Sequence, residues 1–429
     1  MPVRHLRAAR ARTGGSPPSP RAHVARTAAA LAAAMGIGRF VFTPILPLMH
    51  AQAGLSASTG ANLATANYVG YLAGALAGIL APALVRSPAL LRAALVVLTG
   101  TLTAMPATHD VRLWIALRLL AGAASALVFV IAAASLHGNL RGHPAHLSGW
   151  AFGGVGTGIA LSGLLVLGLH SVADWRVAWW ASAALAALFT AGAWHLRPAT
   201  APEAGTTAPE AGPTAPGVGG PAAERSTPRT RRWFTTLFAS YTLEGVGYIV
   251  AGTFLVAAIE QSSPGPVGNA AWVLVGLAAV PSSAMWAGLG RRWSHPDLLL
   301  AALVVQAVGI ALPALIGGAT AALISAVLFG ATFIGVSTLA LAAGAHLRFP
   351  RSVALLTAGY SVGQILGPLV VAPLIHHGYH RALILAVVVL AAAAAAGLLR
   401  IGFPSPGVVP RAAAPGQRSV HESCRASPP

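Results

Sequence analysis

Three strongly charged residues stand well inside long apolar runs: Arg39, Arg118 and Glu244. On insertion scales an arginine at the centre of a membrane helix costs about 2.5–3.5 kcal/mol, so such a residue faces a bundle interior or a watered cavity and takes a partner there. A carboxylate in the same setting answers to two opposed influences, desolvation and any nearby guanidinium, which is the sensitivity that proton exchange requires. Tyr241, Glu244 and Tyr248 are three and four residues apart and share one helix face. Arg118, Gly122, Ser125 and Phe129 form a second stripe, with small residues leaving room beside the guanidinium. Asn67 with Tyr71, and Tyr360 with Gln364, are each one turn apart, and ordinary hydrogen bonding between helices is the plain expectation for such neutral pairs. Arg39, Arg118, Glu244, Tyr241, Tyr248, Asn67, Tyr71, Tyr360 and Gln364 form the candidate substrate and proton pathway. A buried structural ion pair is the plainer alternative for the charges. Against it, the interior charges fall on the first, fourth and seventh apolar runs, while the third, sixth and twelfth carry no interior charge, as a central cavity lined by particular helices would leave them.

The runs that must position these residues recur near 28–49, 60–82, 89–107, 111–136, 148–170, 177–196, 233–259, 269–290, 297–316, 319–343, 353–375 and 380–401. Each is about 18 to 25 residues, the length that crosses a hydrocarbon core as a helix. The chain is 56% hydrophobic and 8% charged, with a mean hydropathy of +0.71, which excludes an ordinary water-soluble domain. Its basic residues are all arginines, placed mostly between runs, so the formal charge of +18 reflects membrane topology. No basic stripe interleaved with aromatics remains to bind nucleic acid. The single Cys424 lies in a polar tail and offers neither a disulfide nor a metal site. Six arginines precede the first run, as in a secretory signal, but that run continues through Gly36 and Pro44 to Met49 and is long enough to span.

The expected division is a cytoplasmic tail over 1–27, a six-helix bundle over 28–196, a Pro/Ala/Gly linker over 197–232, a second six-helix bundle over 233–401 and a cytoplasmic tail over 402–429. With both termini inside, 22 arginines fall on the cytoplasmic side and three, Arg112, Arg176 and Arg381, on the other. The positive-inside rule fixes that orientation. The halves repeat at an offset of 209 residues: Gly36-Ile-Gly38-Arg39 aligns with Gly245-Val-Gly247-Tyr248, and Gly154 and Gly158 with Gly363 and Gly367. Two six-helix halves in parallel repeat form the major facilitator fold, an all-α membrane architecture of twelve transmembrane helices in two pseudo-symmetric bundles.

Small residues four apart mark close helix approaches at Gly70, Gly74 and Gly78, at Gly154 and Gly158, and at Gly363 and Gly367 followed by Pro368. The run Gly153-Gly154-Val-Gly156-Thr-Gly158 looks like a nucleotide fingerprint but lies in an apolar span without a strand-helix-strand context. His376, His377 and His380 lack a carboxylate or cysteine, so no metal is expected, and His170 with Asp174 reads as a solvated loop contact. No nucleophile elbow, zinc-protease pair or phosphate loop is present, so neither an enzyme nor a cofactor is expected.

The segments Gly36-Ile-Gly-Arg39-Phe-Val-Phe-Thr-Pro44-Ile-Leu-Pro47 and Ala66-Asn67-Tyr68-Val-Gly70-Tyr71 resemble the opening of the YbfB/YjiJ group of bacterial major facilitator transporters. Leu243-Glu244-Gly-Val-Gly247-Tyr248 and Tyr360-Ser-Val-Gly363-Gln364-Ile-Leu-Gly367-Pro368 are similar to that group's seventh and eleventh helices, so the likeness runs from about 25 to 400. In the wider superfamily a helix-4 arginine followed by glycine and small residues accompanies proton coupling, and Arg118 through Ala126 is similar to that pattern. The resemblance implies a monomeric carrier in the bacterial inner membrane that moves a small molecule by alternating access. The expectation is proton-coupled secondary transport of an anionic or zwitterionic solute, with Arg39 and Arg118 facing the substrate and Glu244 carrying the proton. Two other readings stand beside it: an exporter of hydrophobic or cationic compounds whose charge is met by Glu244, and a membrane sensor that transports nothing.

Overall fold

The computed structural model describes residues 19–403, apart from 82, 141–142, 144, 199–227, 264, 348, 350 and 376–385. Most of the expected tails and linker, the histidines 376, 377 and 380, and the start of the twelfth run therefore lie outside the described residues. Every described element is helical: α1 (Pro20–Leu31), α2 (Phe42–Ala53), α3 (Ala57–Leu80), α4 (Pro88–Ala104), α5 (Val111–Asn139), α6 (Ala145–Leu169), α7 (Trp175–Ala193), α8 (Pro228–Ser262), α9 (Val267–Leu289), α10 (His295–Leu315), α11 (Gly318–His346), α12 (Ser352–Ile375) and α13 (Ala386–Leu399), with short wide or tight turns between some of them. The first apolar run is α1 and α2 joined by a π-wound turn at Ala32–Ile37. Each later run falls on one described helix, the third closing with a tight turn at Met105–Ala107.

Among the described residues, ten helical stretches are long and apolar enough to cross a membrane. The other two expected spans are α7, whose 19 residues are diluted by Arg176 and Trp175, Trp179 and Trp180, and α13, of which 14 residues are described. Large apolar side chains such as Leu164, Leu188, Val308 and Val370 stay exposed on the outer faces, as lipid contact demands.

Polar side chains set where helices start. Ser56, Ser87, Asp110, Asp174 and Ser294 each accept a first-turn N–H, from Thr59, Leu90, Arg112, Val177 and Asp297 respectively. Asp174 therefore caps α7, while His170 lies against Glu260 of α8. The N-terminal helix begins at Pro20, eight residues before the expected boundary, because Ser19 caps it and its face buries His23 and Thr27. The break between α10 and α11 falls at Gly317 and Gly318, whose φ values of 71° and 79° suit glycine.

The packing repeats as the sequence does. Within the N-terminal half, Gly70 and Gly74 of α3 lie against the backbone of Leu119 and Ala123 of α5, while Gly78 faces Val130. In the same half Gly154 and Gly158 of α6 lie against Ala28 and Ala32 in the first span. In the C-terminal half Gly363 and Gly367 of α12 meet Thr242 and Ile249 of α8, and Pro368 follows within α12. These glycines thus pack helices inside each half. The seam between the halves is formed chiefly by α6 against α9, with α3 against α12 and α2 against α8. Its close approaches are at Gly149, Gly153 and Gly156 of α6 and Gly276 of α9, which the sequence reading did not place at an interface.

A methyl group at Gly156 would meet backbone atoms of Val280 and Gly276 at 2.5 and 2.7 Å. Gly156→Leu is therefore expected to insert and fold at near wild-type yield while losing most transport, because it wedges a seam between two otherwise intact halves. Gly363→Leu is expected to lower folded yield in step with activity. Equal yields for both variants at matched expression, measured by detergent size-exclusion chromatography, would contradict this assignment of the two interfaces.

Candidate functional site

The site begins with the opening of the first span. Pro44 has no N–H to offer the carbonyl four residues back, and its ring crowds that carbonyl, so the helix cannot run straight through Arg39. Instead Gly38 N–H reaches back to Ala33 O and Phe40 N–H to Met35 O, a widened winding, and Thr43 N–H turns to Phe40 O. Gly36 allows this wide turn to lie against the backbone of Gly158 and Val155. The carbonyls of Gly38 and Arg39 are left for other donors, and the Arg118 guanidinium supplies them at 3.3 and 3.2 Å. Asn67 in turn donates to the Arg118 carbonyl at 2.9 Å. Arg118 is thereby committed to the backbone of the first span, with its guanidinium 4.9 Å from the Phe42 ring centre. Removing it would strand two buried carbonyls at about 1–3 kcal/mol each.

The opened turn delivers Arg39, 3% exposed, to the seam between the halves. Its guanidinium donates to Gln364 Oε1 of α12 and lies 4.2 Å from the Tyr71 ring centre and 5.1 Å from that of Tyr68. Its Nε has no partner. Beyond it the aromatic rings form a continuous ladder: Tyr241 stacks on Tyr360 at 4.3 Å, Tyr360 on Tyr248 at 5.5 Å, and Tyr248 on Phe333 at 5.8 Å. Phe40 closes the ladder against Phe333 at 6.1 Å. Arg39 and Tyr248 occupy equivalent positions of the two repeats.

Glu244 is fully buried on the far side of this ladder. One carboxylate oxygen accepts from Gln306 Nε2 of α10 at 3.3 Å, and the other has no partner. The structure thus brings Arg39, Tyr71 and Gln364 together, and Tyr241, Tyr248 and Tyr360 together, but forms no ion pair among Arg39, Arg118 and Glu244. Among the described residues Arg400 pairs with Asp297 at 2.6 Å, and the His170 imidazole lies 3.4 Å from the Glu260 carboxylate.

Several functional candidates escaped the sequence reading. Tyr68 is three residues before Tyr71 and so shares its face, a signal that was present. Gln306 was visible as the one amide in a run of leucine, valine and alanine. Three side-chain ties between the halves had no local signature: Thr43 Oγ1 to Gly252 O at 2.6 Å, the Tyr68 hydroxyl to Thr253 Oγ1 at 2.6 Å, and His170 to Glu260. Thr43 and Gly252 are separated by 209 residues, the repeat offset, so equivalent positions meet on the pseudo-two-fold axis.

Two bundles around a polar seam define a carrier of the major facilitator type. The chain is similar in fold to a crystal structure of a point mutant of the nucleoside transporter NupG, with a TM-score of 0.64 and 14% identity over 89% of this chain and all of that one. No curated protein matches the chain. Residues 31–399 match the model of the family described as uncharacterised MFS-type transporter YbfB, and the chain belongs to that family of multi-pass membrane transporters.

Proposed function

We propose that the chain is a proton-coupled secondary transporter of a small anionic or zwitterionic solute, with Arg39 meeting the solute charge and Glu244 carrying the proton. One observation carries the reading: each of these two buried charges is paired with a neutral side-chain amide, Gln364 or Gln306, and not with the other charge. A structural ion pair, with two desolvated charges, holds its partners together because separating them is costly. An amide partner yields easily, to a solute carboxylate at Arg39 or to a proton at Glu244. Tyr241, Tyr248, Tyr360 and Tyr71 give the solute aromatic walls, Arg118 and Asn67 hold the turn that presents Arg39, and Gln364 marks the place a solute carboxylate takes.

The halves that alternate are the bundles 28–196 and 233–401, and the working unit is a monomer. The arginine bias supports a bacterial inner-membrane orientation with both termini cytoplasmic. In that orientation the ties from Thr43, Tyr68 and His170 to the second half lie toward the outside, so this conformation is closed outward.

The test is uptake by purified protein in liposomes. A panel of labelled small carboxylates and amino acids, with an acid-outside gradient imposed, is expected to contain at least one compound that accumulates and leaks back on addition of a protonophore. Accumulation of cationic dyes alone would favour the exporter, and movement of no compound in either panel would favour the sensor.

A further inference from the structure

The Glu244 and Gln306 side chains are bound by one hydrogen bond, and each keeps one atom idle in a fully buried setting: Glu244 Oε2 and Gln306 Oε1. Both idle atoms are acceptors when Glu244 is a carboxylate, so they can only repel. Burial of two unsatisfied acceptors on one pair is costly, and native interiors avoid it. A single proton on Glu244 Oε2 removes both defects at once. The acid O–H then donates to Gln306 Oε1 while Gln306 Nε2 continues to donate to Glu244 Oε1, closing a ring of two hydrogen bonds between a carboxylic acid and a primary amide.

We infer that Gln306 is the positioning residue for the proton on Glu244, closing this acid–amide ring in the outward-closed conformation. The inference rests on Glu244 being the proton carrier and names the group that holds the proton in place. The step is a simple protonation: a proton from water or hydronium forms the O–H bond at Oε2, the donor keeps its electron pair, and nothing is oxidised or reduced. On release the ring opens, the amide keeps one bond to the carboxylate, and its oxygen is left without a donor.

The other groups facing Glu244 suit a neutral acid. Among the described residues the titratable ones are Tyr241 and Tyr248 on its own helix and Tyr360 on α12, whose phenol lies near the carboxylate. Ser337 of α11 lies near the Tyr241 and Tyr360 phenols, and α13 packs nearby through alanine, with Ser240 Oγ donating to the Ala392 carbonyl. No arginine acts on the carboxylate.

Infrared spectroscopy of the full chain in lipid at neutral pH tests the ring apart from transport. The wild type is expected to show the C=O stretch of a strongly hydrogen-bonded carboxylic acid that disappears in Glu244→Gln. In Gln306→Leu, or in the unbranched Gln306→Met if Leu folds poorly, that band is expected to move up to the position of an unbonded acid. A Glu244-dependent band that stays put in both variants would overturn the role of Gln306. Absence of any protonated-carboxyl band from Glu244 would overturn the ring itself. The carrier reading fails separately, by gradient-driven uptake that survives Glu244→Gln whatever the spectrum shows.

Discussion

Arg39→Ala is expected to abolish solute binding and transport while leaving a folded, inserted protein. The guanidinium is held by rings, not by a carboxylate, so its removal strands no opposite charge. What is lost is, among the described residues, the one arginine at the seam whose head group is not spent on the backbone, together with ring contacts worth about 2 kcal/mol when desolvated. Arg39→Lys keeps the charge but not the planar fork, which cannot both face Tyr71 and bond to a carboxylate or amide. An affinity loss of roughly thirtyfold is expected for Lys, the equivalent of that ring energy, and no measurable binding for Ala. Titration of the transported solute by calorimetry on each variant checks this, with melting temperature as the control for folding. Binding by Arg39→Ala within a few-fold of wild type would remove Arg39 from the site.

The second large effect is expected from locking the external seam. Thr43 and Gly252 touch across the pseudo-two-fold axis, and a Cβ at Gly252 would meet nothing nearer than 3.8 Å, so cysteines fit at both positions. The one native cysteine, Cys424, can be replaced to leave a clean background. Thr43→Cys with Gly252→Cys should transport normally when reduced, stop when bridged by a short cleavable thiol cross-linker, and recover on its cleavage. Uptake that continues in a fully cross-linked sample would mean that α2 and α8 do not separate during the cycle, against alternating access between the two halves.

The sequence carried the architecture because the membrane makes architecture legible. Each spanning helix must be apolar over its length, the arginines sort to one side, and the repeat offset survives in glycines that cannot be enlarged. The three interior charges were legible for the same reason, since each is expensive enough to stand out. Their partners were not. An ion pair among Glu244 and the arginines stood only as the plainer alternative, and the helix rotations instead turn Glu244 toward α10 and Gln306, and turn Arg118 into the opened backbone at Gly38 and Arg39. A sequence shows which residues share a face but not which neighbour that face meets. The same limit explains the glycines. Gly154 and Gly363 were read as interface residues without saying which interface, and the seam runs instead along Gly149, Gly153 and Gly156, on a neighbouring face of the same helix. His170 shows the limit from the other side: Asp174, four residues away, was the local candidate, and the partner came from a helix end 90 residues later.

Whether Glu244 cycles between neutral and charged forms to drive transport is measured most directly by transport in Glu244→Gln with and without an imposed pH gradient, at matched protein levels. Glutamine mimics the protonated side chain, so the variant should bind solute and exchange it across the membrane at rates near wild type. Accumulation driven by the gradient should vanish. Glu244→Asp, with its carboxylate set back by one methylene, should keep part of it. Full gradient-driven accumulation by Glu244→Gln would contradict the proton-carrier role outright, and equal loss of exchange, accumulation and thermal stability would make Glu244 a structural residue instead.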